Sequence, residues 1–392
     1  MDTSSFQATM DRFDYIMAGG GLAALSLAVQ ITDRFPRARI MIIDPEEKGE
    51  NDRTWSFWTD GTVPFEEIAA GSWETIHFHG LEWSADIPLG SFTYKSIRSE
   101  DFYNRVLDIL ERHNVVFATE RVTDIEERDG SVVVRTMDNE YEGAWAFDSR
   151  FDPEEYSQRT GPHHYLKQHF LGWTIETESD AFDPDVATLF DFRVPNCNDF
   201  RFGYLLPTSP TRSLVEYTLF TADLLEDEQY VRDLEHYITE TLGISNYRVI
   251  DREKGVIPMT DEPVRRRGGE RTLLTGTRGG MVKASTGYAF ARVQRDSVAV
   301  ANSLAEHGDP FHIQSPAARF ALLDTMMLQV MYRRGDLSDT VFTNLFRKNP
   351  IDRLLRFLDE QVSVPEMLAV MSTVPWGPFL AAFWRTKIKG VI

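Results

Sequence analysis

A glycine-rich turn between a strand pattern and a helix pattern constrains this chain more than any other feature. Residues Phe13–Ala18 form an apolar run typical of a buried strand, and a helix pattern follows from Leu22 to about Arg34. Gly19, Gly21 and Ala24 occupy the junction with the spacing G-x-G-x-x-A. Glycines there permit a tight turn and let backbone N–H groups approach a pyrophosphate, while a small third residue lets the helix lie close on the strand. The sequence therefore predicts a dinucleotide site at the N-terminus of that helix.

A second strand pattern narrows the choice of nucleotide. The run Arg39–Ile43 ends at Asp44, about 20 residues past the glycine turn. An acidic side chain at this place can accept hydrogen bonds from ribose hydroxyls, whereas a basic one would suit a 2′-phosphate. We therefore expect FAD or NAD rather than NADP, and the alternative is a tight turn in an unrelated α/β unit.

Composition excludes several kinds of partner and site. The formal net charge is −20, so the phosphate backbone of a nucleic acid would be repelled. The single cysteine, Cys197, excludes disulfides within the chain and cysteine-based metal sites. The pairs His77/His79 and His163/His164 have no matching ligand cluster near them, so no metal site is predicted. The acidity fits either adaptation to salt or an ordinary acidic protein.

The distribution of apolar residues predicts neither a membrane span nor a secretory signal. No apolar run reaches the length of about 18 residues that a spanning helix needs. The stretch Tyr15–Ile31 is long and uncharged, but acidic residues precede it where a signal peptide carries positive charge. Those acidic residues are Asp2, Asp11 and Asp14. We therefore expect a cytoplasmic protein.

The pattern after the second strand predicts that the chain leaves the nucleotide unit and returns to it. Ile97–Asn114 predicts a helix with Ser99 as its N-cap, and Val115–Ala118 predicts the next strand. A three-strand meander follows, with Asp129-Gly130 as its first turn. Such a meander is unusual for an NAD dehydrogenase and typical of FAD proteins of the aromatic-hydroxylase type. Its predicted strands are Val122–Glu126, Ser131–Thr136 and Tyr141–Phe147.

The remaining sequence predicts a second sheet and a helical end. Residues 165–260 are strand-like and rich in aromatic side chains, Arg271–Thr275 predicts a strand that returns to the nucleotide unit, and a helix begins at about Gly287. The predicted fold is α/β, with a Rossmann-type FAD-binding domain of the aromatic-hydroxylase/glutathione-reductase kind, a mixed β-sheet substrate domain and a helical C-terminal part. The predicted segments are 1–160 and 266–310 for the FAD-binding domain, 161–265 for the substrate sheet and 311–392 for the helical region.

Several blocks, in order along most of the chain, resemble the lycopene β-cyclase family of flavoproteins in its soluble bacterial type. The most specific are Leu214–Thr218 (LVEYT) and Lys283–Phe290, which contains STGY, whereas the glycine turn indicates only a flavoprotein. Ala284 departs from the family, which often has proline there. The block Gly276–Gly279 lacks the aspartate of the wider FAD hydroxylases, and the cyclases share that lack. The other resembling blocks are Thr54–Phe57, Ile97–Tyr103, Phe147–Arg150, Gln168–Trp173, Asp191–Arg193 and Phe202–Pro207.

The resemblance implies a cyclisation without net redox change. An acid protonates the terminal double bond of lycopene or another acyclic carotenoid, the neighbouring double bond closes a six-membered ring on the tertiary cation, and proton loss gives the β-ring. By its place in the family motif, Glu216 would be the acid. The residues themselves place Leu214, Glu216 and Thr218 on one face of a strand. They leave open whether Glu216 is a buried acid or an exposed surface residue.

The resemblance also implies FAD in its reduced form, with NAD(P)H as the external reductant. An anionic reduced flavin could stabilise the carbocation electrostatically, which explains a redox cofactor in a reaction without redox change. Arg98 would contact the FAD phosphates, unless it is an ordinary surface charge, and Asp148 would lie near the second flavin segment. The complete set of predicted cofactor-binding residues is Gly19, Gly21, Leu22, Ala24, Asp44, Arg98, Val122, Asp148, Gly276, Thr286 and Gly287.

Two further groups of residues are candidates for contact with the substrate or with a membrane. Aromatic side chains could face the cation with their π clouds or could simply be core, and the candidates are Trp55, Trp58, Trp173, Phe202 and Tyr204. Because the implied substrate is insoluble in water, we expect peripheral contact with the inner face of the membrane. The alternative is a helix that packs into the core. The predicted contact surface is Trp376, Phe379, Phe383 and Trp384, with Arg385, Lys387 and Lys389 as a basic tail.

Two rival functions share these features. A FAD-dependent monooxygenase or a prenyl-chain reductase would have the same fold and cofactor but would add oxygen or hydrogen to the substrate. A non-catalytic carotenoid-binding flavoprotein would bind the pigment and leave it unchanged. The mass and structure of the recovered pigment distinguish all three.

Overall fold

The computed structural model describes residues 12–194, 198–315 and 317–389, and the side chains of the last helix as far as Thr386. Three residues used in the sequence argument lie outside the described residues: Asp2, Asp11 and Cys197. The described strands are β1 (Arg12–Ala18), β2 (Ile40–Asp44), β3 (Thr54–Thr59), β4 (Gly71–Trp73), β5 (Thr75–His79), β6 (Ser84–Pro88), β7 (Thr93–Arg98), β8 (Val115–Thr119), β9 (Asp124–Arg128), β10 (Ser131–Arg135), β11 (Glu140–Asp148), β12 (Tyr165–Thr177), β13 (Val186–Asp191), β14 (Phe200–Ser209), β15 (Arg212–Thr221), β16 (Tyr247–Thr260) and β17 (Thr272–Leu274). The described helices are α1 (Leu22–Arg34), α2 (Ser99–Leu110), α3 (Pro153–Gln158), α4 (Asp227–His236), α5 (Phe290–His307), α6 (Ala318–Arg334), α7 (Ser338–Lys348), α8 (Ile351–Leu358), α9 (Val364–Met371) and α10 (Trp376–Lys389).

The first sheet is the predicted nucleotide-binding sheet. Its strands run in the order β8-β2-β1-β11-β10-β9, and β1 pairs in parallel with both β2 and β11. The first part of β11 pairs antiparallel with β10, and its last three residues pair in parallel with the returning strand β17. The predicted excursion and return of the chain are therefore confirmed, and both meet on one strand.

Two local predictions in this unit have different outcomes. The hairpin turn is confirmed, because Asp129 and Gly130 have φ of 44° and 83°, the left-handed backbone that a type I′ turn needs. The assignment of Ser99 as an N-cap is wrong, because it is the first residue of α2 and Arg98 precedes it as the cap. The Ser99 hydroxyl instead accepts the backbone N–H of Asp52 at 2.9 Å and so ties down the loop before β3.

The second large sheet carries the candidate acid. Its strands run in the order β16-β12-β15-β14-β13-β5-β6, antiparallel except for the parallel pair β13–β5. Since β5 and β6 come from inside the first predicted segment, that segment contributes to both sheets. A three-stranded sheet, β3-β7-β4, contacts α5 through β3 and β14 through β4.

Both faces of this large sheet are buried. One face packs against α4 and the π-helical turn that follows it, through residues such as Tyr217, Leu234 and Tyr237. The other face packs against α6 and α7 through an aromatic cluster. Helix α4 was not anticipated among the strand-like residues, because only Tyr230 and Leu234 along it are buried and the other residues, apart from the exposed Val231, are polar. The aromatic cluster includes Phe190, Phe192, Phe200, Phe202, Phe220, Phe342 and Phe346.

The C-terminal part is helical as predicted, but the predicted contact surface is wrong for two residues. Trp376 and Trp384 of α10 are each 62% exposed, and Leu380 between them is exposed too. Phe379 is buried and Phe383 packs half-buried against the aromatic core. Residues four apart share a helix face, so the two phenylalanines lie on the neighbouring, core-facing side. Two side chains of the predicted basic tail lie outside the described residues: Lys387 and Lys389.

Candidate active site

The glycine turn has the geometry of an open cradle. Gly19 has a φ of 108°, and a Cβ there would lie 2.4 Å from the Ser149 hydroxyl oxygen, so neither the backbone nor the space admits a side chain. A Cβ on Gly21 would meet no atom within 4 Å. Ala24 is fully buried where α1 lies on the sheet. The N-terminus of α1, beginning at Leu22, is therefore open to a ligand while the turn beneath it is closed.

Asp44 lies at the carboxyl end of β2, directly beside this turn. Its carboxylate accepts the backbone N–H of Gly20 at 2.6 Å and that of Glu46 at 3.0 Å. Lys48 forms a salt bridge with the same carboxylate at 3.2 Å. This position suits an acceptor for ribose hydroxyls, and that role stays a prediction.

The second predicted cofactor segment meets the first at the end of β17. Gly276 has a φ of 58°, and a Cβ there would lie 3.0 Å from the Cβ of Ala23 in the first turn of α1. The backbone N–H of Thr275 donates to the Asp148 carbonyl oxygen at 2.9 Å. The buried Asp148 carboxylate pairs with Arg150 at 2.9 Å and with Arg278 at 3.2 Å. Asp148 therefore lies next to the second segment, with its charge balanced by two guanidinium groups.

Val122 and Arg98 occupy quite different surroundings. Val122 is buried, and its carbonyl oxygen accepts a hydrogen bond from Arg150 at 3.3 Å. Arg98 ends β7 and is partly exposed, and its guanidinium pairs with Glu100 at 2.9 Å. Cofactor contacts by both residues stay predictions.

The loop that contains Thr286 and Gly287 carries unsatisfied polar atoms. Gly287 has a φ of 75°, and a Cβ there would lie 1.9 Å from the Gln168 side-chain oxygen. The Thr286 hydroxyl and that Gln168 oxygen are buried without a hydrogen-bond partner among the described residues. An open cavity beside the loop is lined by Trp58, Thr286 and Tyr288 among others. Buried polar atoms without partners beside a cavity fit a polar ring system such as isoalloxazine.

A buried charge network holds this loop on the C-terminal helices, and sequence reasoning missed it. The ammonium group of Lys283 contacts Asp324 at 2.6 Å and Glu360 at 2.8 Å. Ser285 donates to Asp324 at 2.6 Å, and Arg292 pairs with Glu360 at 3.3 Å. We call these five residues the lysine network. Lys283 was visible inside a resembling block, but its acidic partners are distant in sequence.

The candidate acid belongs to a straight row of residues across four strands. Tyr204 on β14 pairs with Glu216 on β15, Glu216 pairs with Gly172 on β12, and Gly172 pairs with Glu253 on β16. We call these four residues the carboxyl row. Glu216 is only 7% exposed, so the reading of an exposed surface glutamate is wrong. Glu253, also buried, was missed, because only the strand register brings it to Glu216.

Burial governs the protonation of the carboxyl row. Burial raises the pKa of Glu216 well above its ordinary value, and the neighbouring Glu253 raises it further, against the opposing hydrogen bond from Thr218. Burial likewise raises the pKa of Glu253, although the Thr54 hydroxyl donates to its carboxylate at 2.7 Å. A carboxyl group held protonated in apolar surroundings is what a general acid requires.

Three hydrogen-bonded tyrosines, one buried (Tyr94) and two partly buried (Tyr204 and Tyr288), connect the carboxyl row to the loop at Thr286. The Tyr204 hydroxyl donates to Ser56 at 2.8 Å and lies 2.6 Å from the Tyr94 hydroxyl. The Tyr94 hydroxyl lies 2.9 Å from that of Tyr288, which belongs to the loop. Burial raises the pKa of all three well above its ordinary value, so they are neutral hydrogen-bonding groups. Of the three, the sequence analysis named only Tyr204 as a site residue.

The structure divides the five aromatic candidates. Phe202 and Tyr204 share the sheet face of Glu216, and the Trp58 ring lies 4.6 Å from that of Tyr288. Trp55 is directed to the other side of β3, where it packs on Phe102, Tyr103 and Phe290. Trp173 lies on the opposite face of the large sheet, beneath the guanidinium of Arg252. The proposed roles of Trp55 and Trp173 near the substrate are therefore wrong, because strand alternation directs both away from Glu216.

The histidine pairs have partners other than metals. His77 pairs with Asp86, and His164 lies between Asp261 at 2.9 Å and Gln329 at 3.0 Å. Within the described ranges, no three potential metal-ligating side chains of His, Cys, Asp or Glu come together.

Comparison of the sequence with known proteins identifies its relatives. The family model described as lycopene cyclase protein matches residues 14–383. The chain is 22% identical to the lycopene beta-cyclase of Pantoea ananas over 384 residues, which cover 94% of this chain and 97% of that protein. It is 25% identical to the chloroplastic lycopene beta cyclase of Arabidopsis thaliana over 333 residues, which cover 79% of this chain and 63% of that protein. The chain thus spans less than two thirds of the plant relative.

Comparison of the structure with solved structures gives the fold. A geranylgeranyl bacteriochlorophyll reductase-like protein from Thermoplasma acidophilum aligns with a TM-score of 0.60 at 13% identity, covering 98% of this chain and 100% of that chain. A flavin-dependent brominase aligns with a TM-score of 0.58 at 14% identity, covering 97% and 99%. These likenesses confirm the predicted fold class, an α/β fold of FAD-dependent flavoproteins with a helical C-terminal part. Together with the match over residues 14–383, they lead to one assignment: the chain belongs to the lycopene cyclase family.

Proposed function

We propose that this protein cyclises the acyclic end groups of lycopene or a related carotenoid to β-rings, as an isomerase without net redox change. The observation that carries the proposal is Glu216, a buried carboxyl group in an aromatic core, kept protonated by burial and a second carboxyl group. The names of the bacterial and plant relatives support the same reaction. The buried acid has no evident task in hydride or oxygen transfer.

The reaction proceeds by proton transfer and ring closure. Glu216 gives its proton to the terminal double bond, whose π electrons form the new C–H bond and leave a tertiary cation. The neighbouring double bond closes the ring, and loss of one ring proton restores neutrality, so atoms and electrons balance. Phe202, Tyr204 and Trp58 exclude water and present π faces to the cation.

FAD is the cofactor that the cradle fits. The open N-terminus of α1 and the orphaned polar atoms at Thr286 and Gln168 are the features that favour it. In its reduced, anionic form the flavin supplies negative charge near the cation, and NAD(P)H is the proposed external reductant. The residues proposed to hold it are Gly19, Gly21, Leu22, Ala24, Asp44, Arg98, Val122, Asp148, Gly276, Thr286 and Gly287. Full turnover with oxidised flavin under strictly anaerobic conditions would contradict the requirement for the reduced form.

Expression in a lycopene-accumulating bacterium tests the function. We expect pigments of unchanged mass that carry one or two β-rings, and none from cells that carry Glu216→Gln. Pigment with added oxygen would identify a monooxygenase, and pigment with added hydrogen would identify a reductase. Unchanged lycopene that co-purifies with the protein would identify a carotenoid-binding flavoprotein. Each of these three outcomes overturns the proposal.

Peripheral contact with the inner face of the membrane is part of the proposal, with the protein otherwise in the cytoplasm. The exposed apolar side chains of α9 and α10 form a surface that can lie in the lipid interface. Among the described residues no single helix is long and apolar enough to cross a membrane, although α9 and the part of α10 up to Thr386 pass that test together across a 120° bend. The surface consists of Val364, Leu368, Trp376, Leu380 and Trp384.

A further inference from the structure

The absence of a side chain at Gly172 brings two carboxyl groups together. Glu216 and Glu253 lie on strands that flank β12, and both pair with Gly172 in the register. A Cβ on Gly172 would lie 3.1 Å from Glu253 Cγ, 3.1 Å from Leu214 Cδ1 and 3.4 Å from Glu253 Oε1. With no side chain there, the two carboxyl groups can approach each other across β12, and each acts on the pKa of the other.

Among the described residues, the surroundings of the pair supply hydrogen bonds but no cation that forms a salt bridge with either carboxyl group. Thr218 donates to Glu216, and Thr54 donates to Glu253 at 2.7 Å. In the described part of the chain, two charged groups act on Glu253: Asp251, on the same strand β16, disfavours its ionisation, and Arg98, at the end of β7, favours it. The tyrosines nearest to Glu216 are the neutral Tyr204 and Tyr288.

Two buried carboxyl groups side by side cannot both ionise without a counter-ion, so such a pair keeps at least one proton. We propose that Glu253 is a positioning residue for the cyclisation, forming with Glu216 a carboxyl dyad that shares a single proton across Gly172. This proposal rests on the proposed function for its catalytic consequence. Burial raises the pKa of Glu253, but the hydrogen bond from Thr54 and the charge of Arg98 oppose that shift, so Glu253 is the member of the dyad that ionises more readily.

The dyad explains two features of the proposed reaction. Glu216 keeps its proton at neutral pH, and the carbocation forms beside negatively charged groups. Glu216 transfers the shared proton to the terminal carbon, and the pair then carries two negative charges beside one carbocation. In surroundings with little water, the two negative charges repel each other strongly. The doubly ionised dyad is therefore favourable only while the carbocation is present. The doubly ionised dyad then accepts the proton that the ring loses, which neutralises the cation and returns the dyad to its starting state.

The test compares pH–rate profiles of the FAD-loaded protein for wild type, Glu253→Gln and Gly172→Ala. Glu253→Gln removes the negative charge beside Glu216. Gly172→Ala adds a methyl group that displaces the Glu253 side chain and removes no titratable group. We expect the alkaline limb of the cyclisation rate to move to lower pH by about one unit or more in both variants. Glu176→Gln, at an exposed carboxylate of β12 that pairs with Arg212 and Arg248, is the matched control. An unmoved limb in Glu253→Gln would overturn the dyad and leave Glu253 a structural residue.

An infrared titration separates this proposal from the proposed function, because it needs no substrate. Wild type should show one protonated buried carboxyl group near neutral pH, absent in Glu216→Gln and titrating at lower pH in Glu253→Gln. Protein that shows this titration but forms no β-rings would keep the dyad and contradict the cyclase function. Protein that cyclises lycopene but titrates the two carboxyl groups independently would keep the function and overturn the dyad.

Discussion

The lysine network and the carboxyl row are two buried polar clusters in one molecule, and they balance their acidic groups in opposite ways. In the lysine network, Asp324 and Glu360 face Lys283 and Arg292 at 2.6 to 3.3 Å. In the carboxyl row, neither glutamate has a salt bridge within the described residues, and in the proposed dyad one shared proton takes the place of a counter-ion. A cation fixes a carboxylate in its charged state, whereas a proton can leave. We therefore assign a structural role to the first cluster and propose a chemical role for the second.

The pKa of a glutamate is shifted in opposite directions in the two clusters. At Glu360, burial raises the pKa, but Lys283 and Arg292 more than offset it, so the pKa is lowered. At Glu216, burial and Glu253 both act upward, so the pKa is raised. Burial alone thus does not mark an acid catalyst. What distinguishes Glu216 from Glu360 is that, among the described residues, no cation forms a salt bridge with Glu216.

The largest expected effect is on stability, from removal of the cation of the lysine network. Lys283→Met keeps the apolar stem but leaves Asp324 and Glu360 without their shared partner, which should lower the free energy of unfolding by about 3–5 kcal/mol. Urea denaturation measures this loss. Lys254→Met removes an exposed ammonium group that pairs with Asp227, and it should cost less than about 1 kcal/mol. Equal losses in the two variants would remove the distinction between the clusters.

The next effect is on catalysis, from removal of the proton of the carboxyl row. Glu216→Gln keeps the shape and hydrogen bonding of the side chain but has no proton to transfer. Cyclisation should fall by roughly 10²-fold or more, with FAD binding retained. Rates are measured as conversion of lycopene in detergent or vesicles, with Glu176→Gln as control. A variant with near wild-type rates would show that Glu216 is only a buried structural residue.

The pH dependence of stability should distinguish the clusters by sign. The raised pKa of Glu216 means that its contribution to stability is present below the pKa of the unfolded chain and is lost as pH rises through the folded value. The lowered pKa of Glu360 means that its contribution is present above the unfolded value and is lost as pH falls. Relative to wild type, Glu216→Gln should therefore gain stability with rising pH, and Glu360→Gln should lose it. Urea midpoints between about pH 4 and about pH 9 measure both slopes, and parallel slopes would contradict the assignment.

Local sequence spacing was enough to predict the main strands and turns of the nucleotide-binding sheet. A few adjacent residues determine the conformation of each of three elements, because tight turns and helix starts need particular residue types. These elements are the turn from Gly19 to Ala24, the strand that ends at Asp44 and the Asp129-Gly130 hairpin. The period of two around Glu216 also placed its neighbours on the correct faces. Features that depend on the backbone geometry of a single element could therefore be predicted.

Long-range pairing could not be predicted in the same way. Glu253 reaches Glu216 only through the register of β15 and β16 on either side of Gly172, and nothing local to Glu253 marks it. The partners of Lys283 come from α6 and from the turn before α9. Trp55 and Trp173 were assigned wrongly to the substrate site. A motif shows that a residue lies near the site along the chain, but strand alternation determines the face of the sheet on which its side chain lies.

The smallest expected effect concerns α9 and α10, the helices that follow the turn in which Glu360 joins the lysine network. If that network orients α9 and α10 for contact with lipid, the exposed Trp376 and Trp384 should carry the contact while the buried Phe379 does not. The double variant Trp376→Ser/Trp384→Ser should bind vesicles roughly tenfold more weakly, since apolar surface that enters the interface is lost. Its stability should not change, because both side chains are exposed. Tyr332→Ser, at an exposed aromatic residue of α6, is the control and should bind as wild type does.

The charge of the protein adds a second test of the same surface. At a formal net charge of −20, most of the molecule is repelled by anionic lipid, so added salt should strengthen binding to anionic vesicles by screening that repulsion. Contact carried mainly by basic residues would weaken with salt instead. Flotation of wild type and the tryptophan double variant at low and high salt separates these outcomes. If the double variant floats as wild type does under both conditions, lipid meets the protein at another surface, and the lysine network orients α9 and α10 for packing alone.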